Sequence, residues 1–185
     1  MSLEQFKEPV TVAGEVVDKK LIAYRMDNQT NDMRTAAGLG ACRCCDYFLP
    51  RKDSVVLIEE TRLSDTVETI RAEFSYLDNE ENIDKIVNEK IKDEHRLKTY
   101  GAMLVLSRLS VDCDDAKKLV HGKKFEFWLV ASKIDTPDKQ IYFDSQRDRL
   151  LDELSGSIGG TLKVKVKILS AKDLKTWFAN NAPTP

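Results

Sequence analysis

Apolar residues and lysines alternate strictly in one stretch near the end of the chain. Across residues 162–168 every second residue is apolar and each residue between is a lysine, the pattern of a strand with one buried face. Because lysines protect exposed strands against mispairing, we expect this strand at the edge of a sheet. A phosphate-binding stripe is the alternative role for the same lysines.

Continuous apolar runs predict strands that are covered on both faces. Residues 55–58 form such a run, and we expect them in the middle of the sheet. The short aromatic segment 42–49, closed by Pro50, predicts the neighbouring strand, with a polar turn between the two. Residues 124–132 are rich in aromatic and β-branched residues and predict a strand that crosses back to the same sheet after a helix.

Helical spacing of apolar residues predicts the remaining elements. The clearest helices cover residues 65–77, with Ser64 as N-cap, and residues 83–109, whose second half from Gly101 onward is expected to be buried. Weaker patterns predict helices over 10–26, over 147–154 with Gly156 as its end, and over 172–179. Residues 27–40 are rich in Asn, Asp and Gly and predict a loop.

Length and composition are those of one globular domain. Of the 185 residues, 42% are hydrophobic and 32% are charged, which suffices for a core without a disulfide or metal staple. Strands interspersed with helices predict an α/β fold with a mixed central sheet flanked by helices. We expect a single domain over residues 1–185, because no repeat or linker divides the chain.

Charge and cysteine usage narrow the location and the partners. With 29 basic and 31 acidic residues the formal charge is −2, so any contact with nucleic acid must be local. No stretch is long and apolar enough for a signal sequence or a membrane span, which predicts a cytoplasmic protein without membrane contact. The cysteines Cys42, Cys44, Cys45 and Cys113 lack the paired spacing of a zinc site and are expected to be reduced thiols.

Two acidic residues lie on the predicted central strand pair. Asp46 belongs to the sequence CCDYFL (residues 44–49), and Glu59 belongs to VVLIEET (residues 55–61). This arrangement resembles the core of the restriction-endonuclease-like, or PD-(D/E)xK, nuclease superfamily. In that family an Asp on one strand and a Glu on the next, followed two residues later by Lys, form the active site. Thr61 occupies the position of that lysine here.

The resemblance implies a metal-dependent nuclease that acts on DNA or RNA, with a restriction-endonuclease-like core over about residues 42–130. Asp46 and Glu59 would be catalytic residues and ligands of Mg²⁺ or Mn²⁺, which are hard cations that take oxygen ligands. Because Thr61 carries no charge, the catalytic cation would come from Lys98 on the following helix or from Arg62. Side chains alternate along a regular strand, so Arg62 is expected on the face opposite Glu59, and Lys98 is the better candidate.

A second, shorter resemblance lies on the long predicted helix. The sequence RLKTY (residues 96–100) is similar to the Gln-x-x-x-Tyr helix of RecB-like members of the superfamily, with Arg96 in place of Gln. Residues four apart share a helix face, so Arg96 and Tyr100 are expected to face one site. Together with Arg62 they are the predicted substrate-binding residues.

Other hypotheses stay open on the same residues. A member of the fold that lost its lysine would act as an inactive binding or accessory module, and an unrelated protein-interaction domain or homo-oligomer would need no nuclease site. An Asp after a short strand is often only a turn former, and acids at strand ends often cap helices or stay solvated. ATPases, serine hydrolases and dinucleotide oxidoreductases lose support, because their glycine-rich and nucleophile motifs are absent.

The histidines and tryptophans carry no motif either. His95 and His121 are expected on the surface, because neither belongs to a recognisable metal or nucleophile pattern. Trp128 and Trp177 are expected as core residues or partly buried anchors.

Overall fold

Eight strands organise the computed structural model, which describes residues 2–28 and 32–181. They are β1 (Lys7–Pro9), β2 (Thr11–Val12), β3 (Glu15–Val16), β4 (Ile22–Arg25), β5 (Tyr47–Pro50), β6 (Ser54–Thr61), β7 (Lys124–Ala131) and β8 (Lys165–Ser170). Six of them form one mixed sheet in the order β1–β4–β5–β6–β7–β8, and β2 pairs with β3 in a separate hairpin. The predicted α/β fold with a mixed central sheet is thereby confirmed.

Helices fill the connections between the strands. They are α1 (Met33–Ala36), α2 (Leu63–Glu73), α3 (Glu80–Asp112), α4 (Asp114–Val120), α5 (Pro137–Leu154), α6 (Gly160–Leu162) and α7 (Ala171–Asn181). A 3₁₀ turn at Leu3–Phe6 precedes β1, and a π-helical turn at Ser155–Gly159 joins α5 to α6. None of the helices in the described ranges is long and apolar enough to cross a membrane.

The sheet changes from antiparallel to parallel at β6. Strands β1, β4, β5 and β6 pair antiparallel in turn, whereas β6, β7 and β8 are parallel. Parallel neighbours need a long crossover, which α2 to α4 provide before β7 and α5 provides before β8. The predictions of a central strand at 55–58, a crossover to 124–132 and an edge strand rich in lysines are confirmed.

Two apolar layers cover the two faces of the sheet. Val55 and Leu57 of β6 pack among buried residues of α2, α3 and α5, on what we call the helical face. Val56 and Ile58 pack on the opposite face with Leu174 of α7, on what we call the α7 face. Because side chains alternate along a strand, the position of a residue in β6 decides which layer it joins.

Helix α3 spans the helical face. Its 33 residues begin after Asn79, whose side chain accepts hydrogen bonds from the N–H groups of the first turn. Buried residues recur every three or four positions from Ile83 to Leu109, which confirms the helix predicted there. The prediction that the half from Gly101 onward is buried is wrong in part, because Leu104 is 53% exposed and this half buries one side only.

The helix predicted over residues 10–26 is wrong, because this segment forms β2, β3 and β4. Val10 and Val12 are buried with a half-buried residue between them, which is a strand period. Ala13 and Gly14 then take φ values of 55° and 82°, the conformation of a two-residue type I′ hairpin turn. This turn interrupts the alternation, and the mixed spacing that results favours a helix when only the sequence is read.

Several other predicted boundaries differ. The strand predicted over 42–49 is limited to Tyr47–Pro50, and its last residue, Pro50, pairs with Val55. Ser64 lies inside α2, whose N-cap is Arg62. The helix predicted over 147–154 begins already at Pro137 and continues beyond Gly156 as a π-helical turn.

The alternating strand near the end begins later than predicted. Lys163 has a φ of 55°, which no strand accommodates, so β8 starts at Lys165 and runs to Ser170. The helix predicted over 172–179 is confirmed as α7. Trp128 is fully buried and Trp177 is half-buried, as predicted.

Candidate functional site

The antiparallel register of β5 and β6 brings Asp46 next to Glu59. Tyr47 pairs with Ile58, so the following position along the ladder sets Asp46 opposite Glu59. The Asp46 carboxylate accepts a hydrogen bond of 2.8 Å from the N–H of Glu60. Two acids from different strands therefore lie side by side at one end of the sheet.

Glu59 and Glu60 point to opposite faces. Glu59 lies under the helices and is only 2% exposed. Glu60 lies on the α7 face, where its carboxylate accepts a hydrogen bond of 2.9 Å from the N–H of Ala13. Because an isolated buried carboxylate is very costly, Glu59 requires a compensating cation.

Lys98 of α3 supplies that cation. Its ammonium donates a hydrogen bond to Oε1 of Glu59 and lies 3.2 Å from Oε1 of Glu94, one helical turn earlier. The Lys98 side chain is 24% exposed, so solvent reaches it although its partner Glu59 is buried. A continuous chain of charges, Glu94–Lys98–Glu59, thus leads from the surface to the acid pair.

Burial determines the protonation of this cluster. Burial, followed by the neighbouring Asp46 carboxylate, raises the pKa of Glu59 to about 8 even though the Lys98 ammonium lowers it. Burial also raises the pKa of Asp46, against the hydrogen bond that its carboxylate accepts. Burial lowers the pKa of Lys98, but the Glu59 and Glu94 carboxylates outweigh this and raise it above its usual value. Glu59 therefore exchanges a proton near neutral pH, while Lys98 stays charged.

Oxygen ligands for a hard cation are available at this point. Oε2 of Glu59 is buried and has no hydrogen-bond partner in the described structure, and Asp46 is 26% exposed. Mg²⁺ is usually held by one or two carboxylates, with waters and substrate phosphates as its other ligands. Within residues 2–28 and 32–181 no group of three or more His, Cys, Asp or Glu side chains is placed to hold a metal. Asp46 and Glu59 therefore offer carboxylate oxygens from two residues only.

The segment before Asp46 crosses α3 at a glycine. A Cβ atom on Gly101 would lie 1.8 Å from the backbone oxygen of Arg43 and 2.8 Å from Sγ of Cys42. Only a residue without Cβ permits this approach. Because Gly101 lies about one turn after Lys98, the crossing fixes the position of Asp46 relative to Lys98.

The cysteine cluster belongs to this packing. Cys42, Cys44 and Cys45 form no disulfide. Burial raises the pKa of Cys44 to about 12, and burial together with the Glu59 and Asp46 carboxylates raises the pKa of Cys45 well above its usual value. Both thiols are therefore protonated at neutral pH, as buried structural cysteines are.

A groove of about 750 Å³ opens between α2 and α3 next to the charge chain. Its lining includes Glu94 together with Arg43 and Arg62. Both arginines are exposed, and neither forms an ion pair with the part of the chain that the structure describes. The strand alternation that would set Arg62 on the face opposite Glu59 does not reach it, because β6 ends at Thr61 and Arg62 is the N-cap of α2.

The other predicted substrate contacts lie elsewhere on α3. Arg96 forms an ion pair of 2.9 Å with Asp93. Tyr100 lines a small pocket beside Gly101, which shares Arg43 and Leu97 with the groove but includes none of its acids. Thr61 is buried at the end of β6. Of the predicted residues, the structure therefore brings together Asp46, Glu59 and Lys98 directly, and Arg62 through the groove.

His95 is buried, so the prediction of a surface position is wrong. It is 3% exposed and its ring lies 6.1 Å from that of Phe127 in β7. Burial lowers the pKa of His95 to about 4, so the ring is neutral at physiological pH. His95 belongs to the row of buried residues along α3. Its neighbours in the sequence are charged, so the sequence alone does not indicate that it is buried. His121 is exposed, as predicted.

Three residues of the site escape sequence reasoning. Glu94 has a usable signal, because an acid four residues before a lysine on a helix forms an ion pair. Arg25 approaches Asp46 to 3.8 Å because β4 pairs with β5, and this pairing is invisible if residues 10–26 are taken as a helix. Arg43 reaches the groove only because its segment crosses α3.

Comparison with known proteins yields no relative: no family model, no curated protein and no solved structure matches this chain. The function is therefore argued from the geometry of the site itself.

Proposed function

We propose that the chain is a metal-dependent nuclease-like protein with a restriction-endonuclease-like core, which cleaves phosphodiester bonds of DNA or RNA. The observation that carries this proposal is the meeting of Asp46, Glu59 and Lys98 at one end of the sheet. The three come from two neighbouring strands and the helix that follows them. Lys98 takes the role of the lysine that Thr61 cannot supply.

Asp46 and Glu59 would hold Mg²⁺ or Mn²⁺ through their carboxylate oxygens. The buried, unpartnered Oε2 of Glu59 fits this role, because such an atom in a native protein normally has a partner. A bound ion supplies Lewis acidity at a phosphate oxygen and lowers the pKa of a coordinated water.

The basic residues of the chain act on the substrate. Lys98 stabilises the negative charge that develops on the phosphate, and Glu94 holds its ammonium in place independently of Glu59. Arg43 and Arg62 are exposed and form no ion pair with residues 2–28 or 32–181, so they are suited to bind backbone phosphates in the adjoining groove. Arg96 and Tyr100 are further candidates for substrate binding. The proposed location is the cytoplasm, where the thiols stay reduced.

Calorimetric titration with Mn²⁺ tests the proposed metal site. We expect the native chain to bind Mn²⁺, and Asp46→Asn and Glu59→Gln each to weaken binding about tenfold or more, because each removes a charged ligand. Glu60→Gln, on the opposite face, is the matched control and should bind as the native chain does.

The pH dependence of this affinity identifies Glu59. A cation binds the ionised carboxylate, and Glu59 is mostly protonated below its pKa of about 8. Affinity should therefore rise about tenfold per pH unit between pH 6 and 8 and level off above, a dependence that is lost in Glu59→Gln. Absence of binding at pH 9, or binding that neither substitution affects, would contradict the metal site.

An inactive binding module of the same fold is the second candidate. Thr61 at the position of the family lysine favours it, and so does the Lys98–Glu59 pair, which neutralises the buried carboxylate without a metal. In that case the charge chain is purely structural, and the Mn²⁺ titration gives no heat of binding.

A further inference from the structure

Basic side chains gather around the β5–β6 turn, at the end of the sheet opposite Asp46 and Glu59. Two grooves of about 350 and 470 Å³ adjoin there and share Arg51 and Lys52 in their linings. We call their basic residues the turn-end surface: Lys20, Arg51, Lys52, Lys124, Lys163 and Lys165. Among the described residues, the acids that line the two grooves are Asp53 and Glu126, although the whole chain carries a net charge of −2.

These positive charges are largely uncompensated. Arg51 lies 3.6 Å from Glu126, whereas the five lysines of the turn-end surface are exposed and form no ion pair with any described residue. On α3, by contrast, Lys90 and Lys92 each pair with an acid. The turn-end surface is therefore a local source of positive potential.

Two aromatic residues of α7 line the larger groove. Trp177 and Phe178 are both half-buried. The Arg51 guanidinium lies over the Trp177 ring at 4.9 Å, and Trp128 supports the same ring edge-on at 4.4 Å. Cations that hold phosphates beside aromatic rings that stack bases are the combination that binds single-stranded nucleic acid.

Lys163 holds an unfavourable backbone conformation within this surface. Its φ of 55° belongs to the left-handed region that favours glycine. The conformation itself gives no reason for a lysine here, whereas the charge adds to the groove that Lys124 and Lys165 line.

We propose that the turn-end surface binds a single-stranded nucleic acid through its phosphates, with Trp177 and Phe178 as the stacking platform. The surface is separate from the acid pair, because residues 54 to 59 of β6 place roughly 17 Å between them. The inference goes beyond the proposed function, since it needs no metal and no cleavage and holds equally for an inactive module.

Fluorescence-anisotropy titration with labelled oligo(dT) and oligo(U) of about 20 nucleotides, in EDTA, tests this surface. We expect the logarithm of the affinity to fall with that of the salt concentration with a slope of about −3.5 to −4.2, because five or six phosphate contacts contribute about 0.7 each. EDTA removes any divalent ion from the acid pair, which separates this test from that of the metal site.

A matched pair of glycine substitutions locates the binding. Lys163→Gly should weaken binding about fivefold at 0.1 M salt, and Lys163→Gly with Lys165→Gln about 25-fold, by the same salt relation. Lys133→Gly is the control, because Lys133 is also exposed and has a φ of 55° but lies beyond the other end of the sheet. Glycine suits both backbones, so neither substitution should unfold the protein.

Every outcome bears on the proposal. Binding of DNA, of RNA or of both, weakened by Lys163→Gly but not by Lys133→Gly, supports it. Equal affinities of the two glycine variants, whether at or below that of the native chain, overturn it. So does the absence of binding to either oligonucleotide at low salt, or binding only to phosphatidylserine vesicles.

Discussion

Gly101→Ala is expected to destabilise the fold by about 3 kcal/mol or more. The added Cβ would lie 1.8 Å from the backbone oxygen of Arg43, and a backbone atom cannot rotate away as a side chain does. Either α3 bends or residues 42–45 move, and both displace Asp46 from Lys98. Urea denaturation followed by circular dichroism measures the loss as a lower midpoint.

Gly160→Ala is the control for this substitution. Gly160 is helical, with a φ of −62°, and a Cβ there would meet no atom within 4 Å. Alanine should therefore stabilise the protein by about 0.5 to 1 kcal/mol. If Gly101→Ala unfolds at the same urea concentration as the native chain, residues 42–45 do not cross α3 as described.

Lys98→Met is expected to lower metal-dependent cleavage about 10²- to 10³-fold, the usual cost of removing one group that stabilises developing charge. Mn²⁺ should still bind, because Asp46 and Glu59 remain. The pH dependence of binding should shift upward, because the Lys98 ammonium lowers the pKa of Glu59 in the native chain. Kinetics on a labelled oligonucleotide, together with calorimetry, separate the two effects.

Two further variants serve as controls for Lys98→Met. Lys98→Arg keeps the positive charge and should retain part of the rate that Lys98→Met loses. Lys92→Met removes a lysine of the same helix that pairs with Glu89, and it should leave the rate unchanged. Equal rates for Lys98→Met and the native chain would show that Lys98 only neutralises Glu59.

Those parts of the fold that obey one period can be predicted from the sequence. The run at residues 55–58, the aromatic strand at 124–131 and the 33-residue helix α3 each bury a continuous face, so hydrophobic spacing identifies them. The N-terminal strands are only two to four residues long and are separated by tight turns. No period develops over so short a distance, which explains the wrong helix.

Some features of the candidate site can likewise be predicted from the sequence, whereas others cannot. Asp46 and Glu59 follow from two strands joined by a short turn, because the turn fixes their register. The resemblance identifies Lys98 as a candidate cation. Its approach to Glu59 cannot be predicted from the sequence, because it depends on how α3 lies across the sheet. No local sequence pattern predicts the positions of Arg25, Arg43 and the lysines at the β5–β6 turn, because these residues come from distant segments of the chain.

Cleavage of labelled single- and double-stranded DNA and RNA in Mg²⁺ or Mn²⁺ tests the central claim most directly, with Glu59→Gln purified in parallel as the control for contaminating nucleases. We expect products that require the metal and the native chain and that disappear in EDTA and in Glu59→Gln. Equal cleavage by the native chain and Glu59→Gln, or no cleavage of any substrate with either metal, would contradict it.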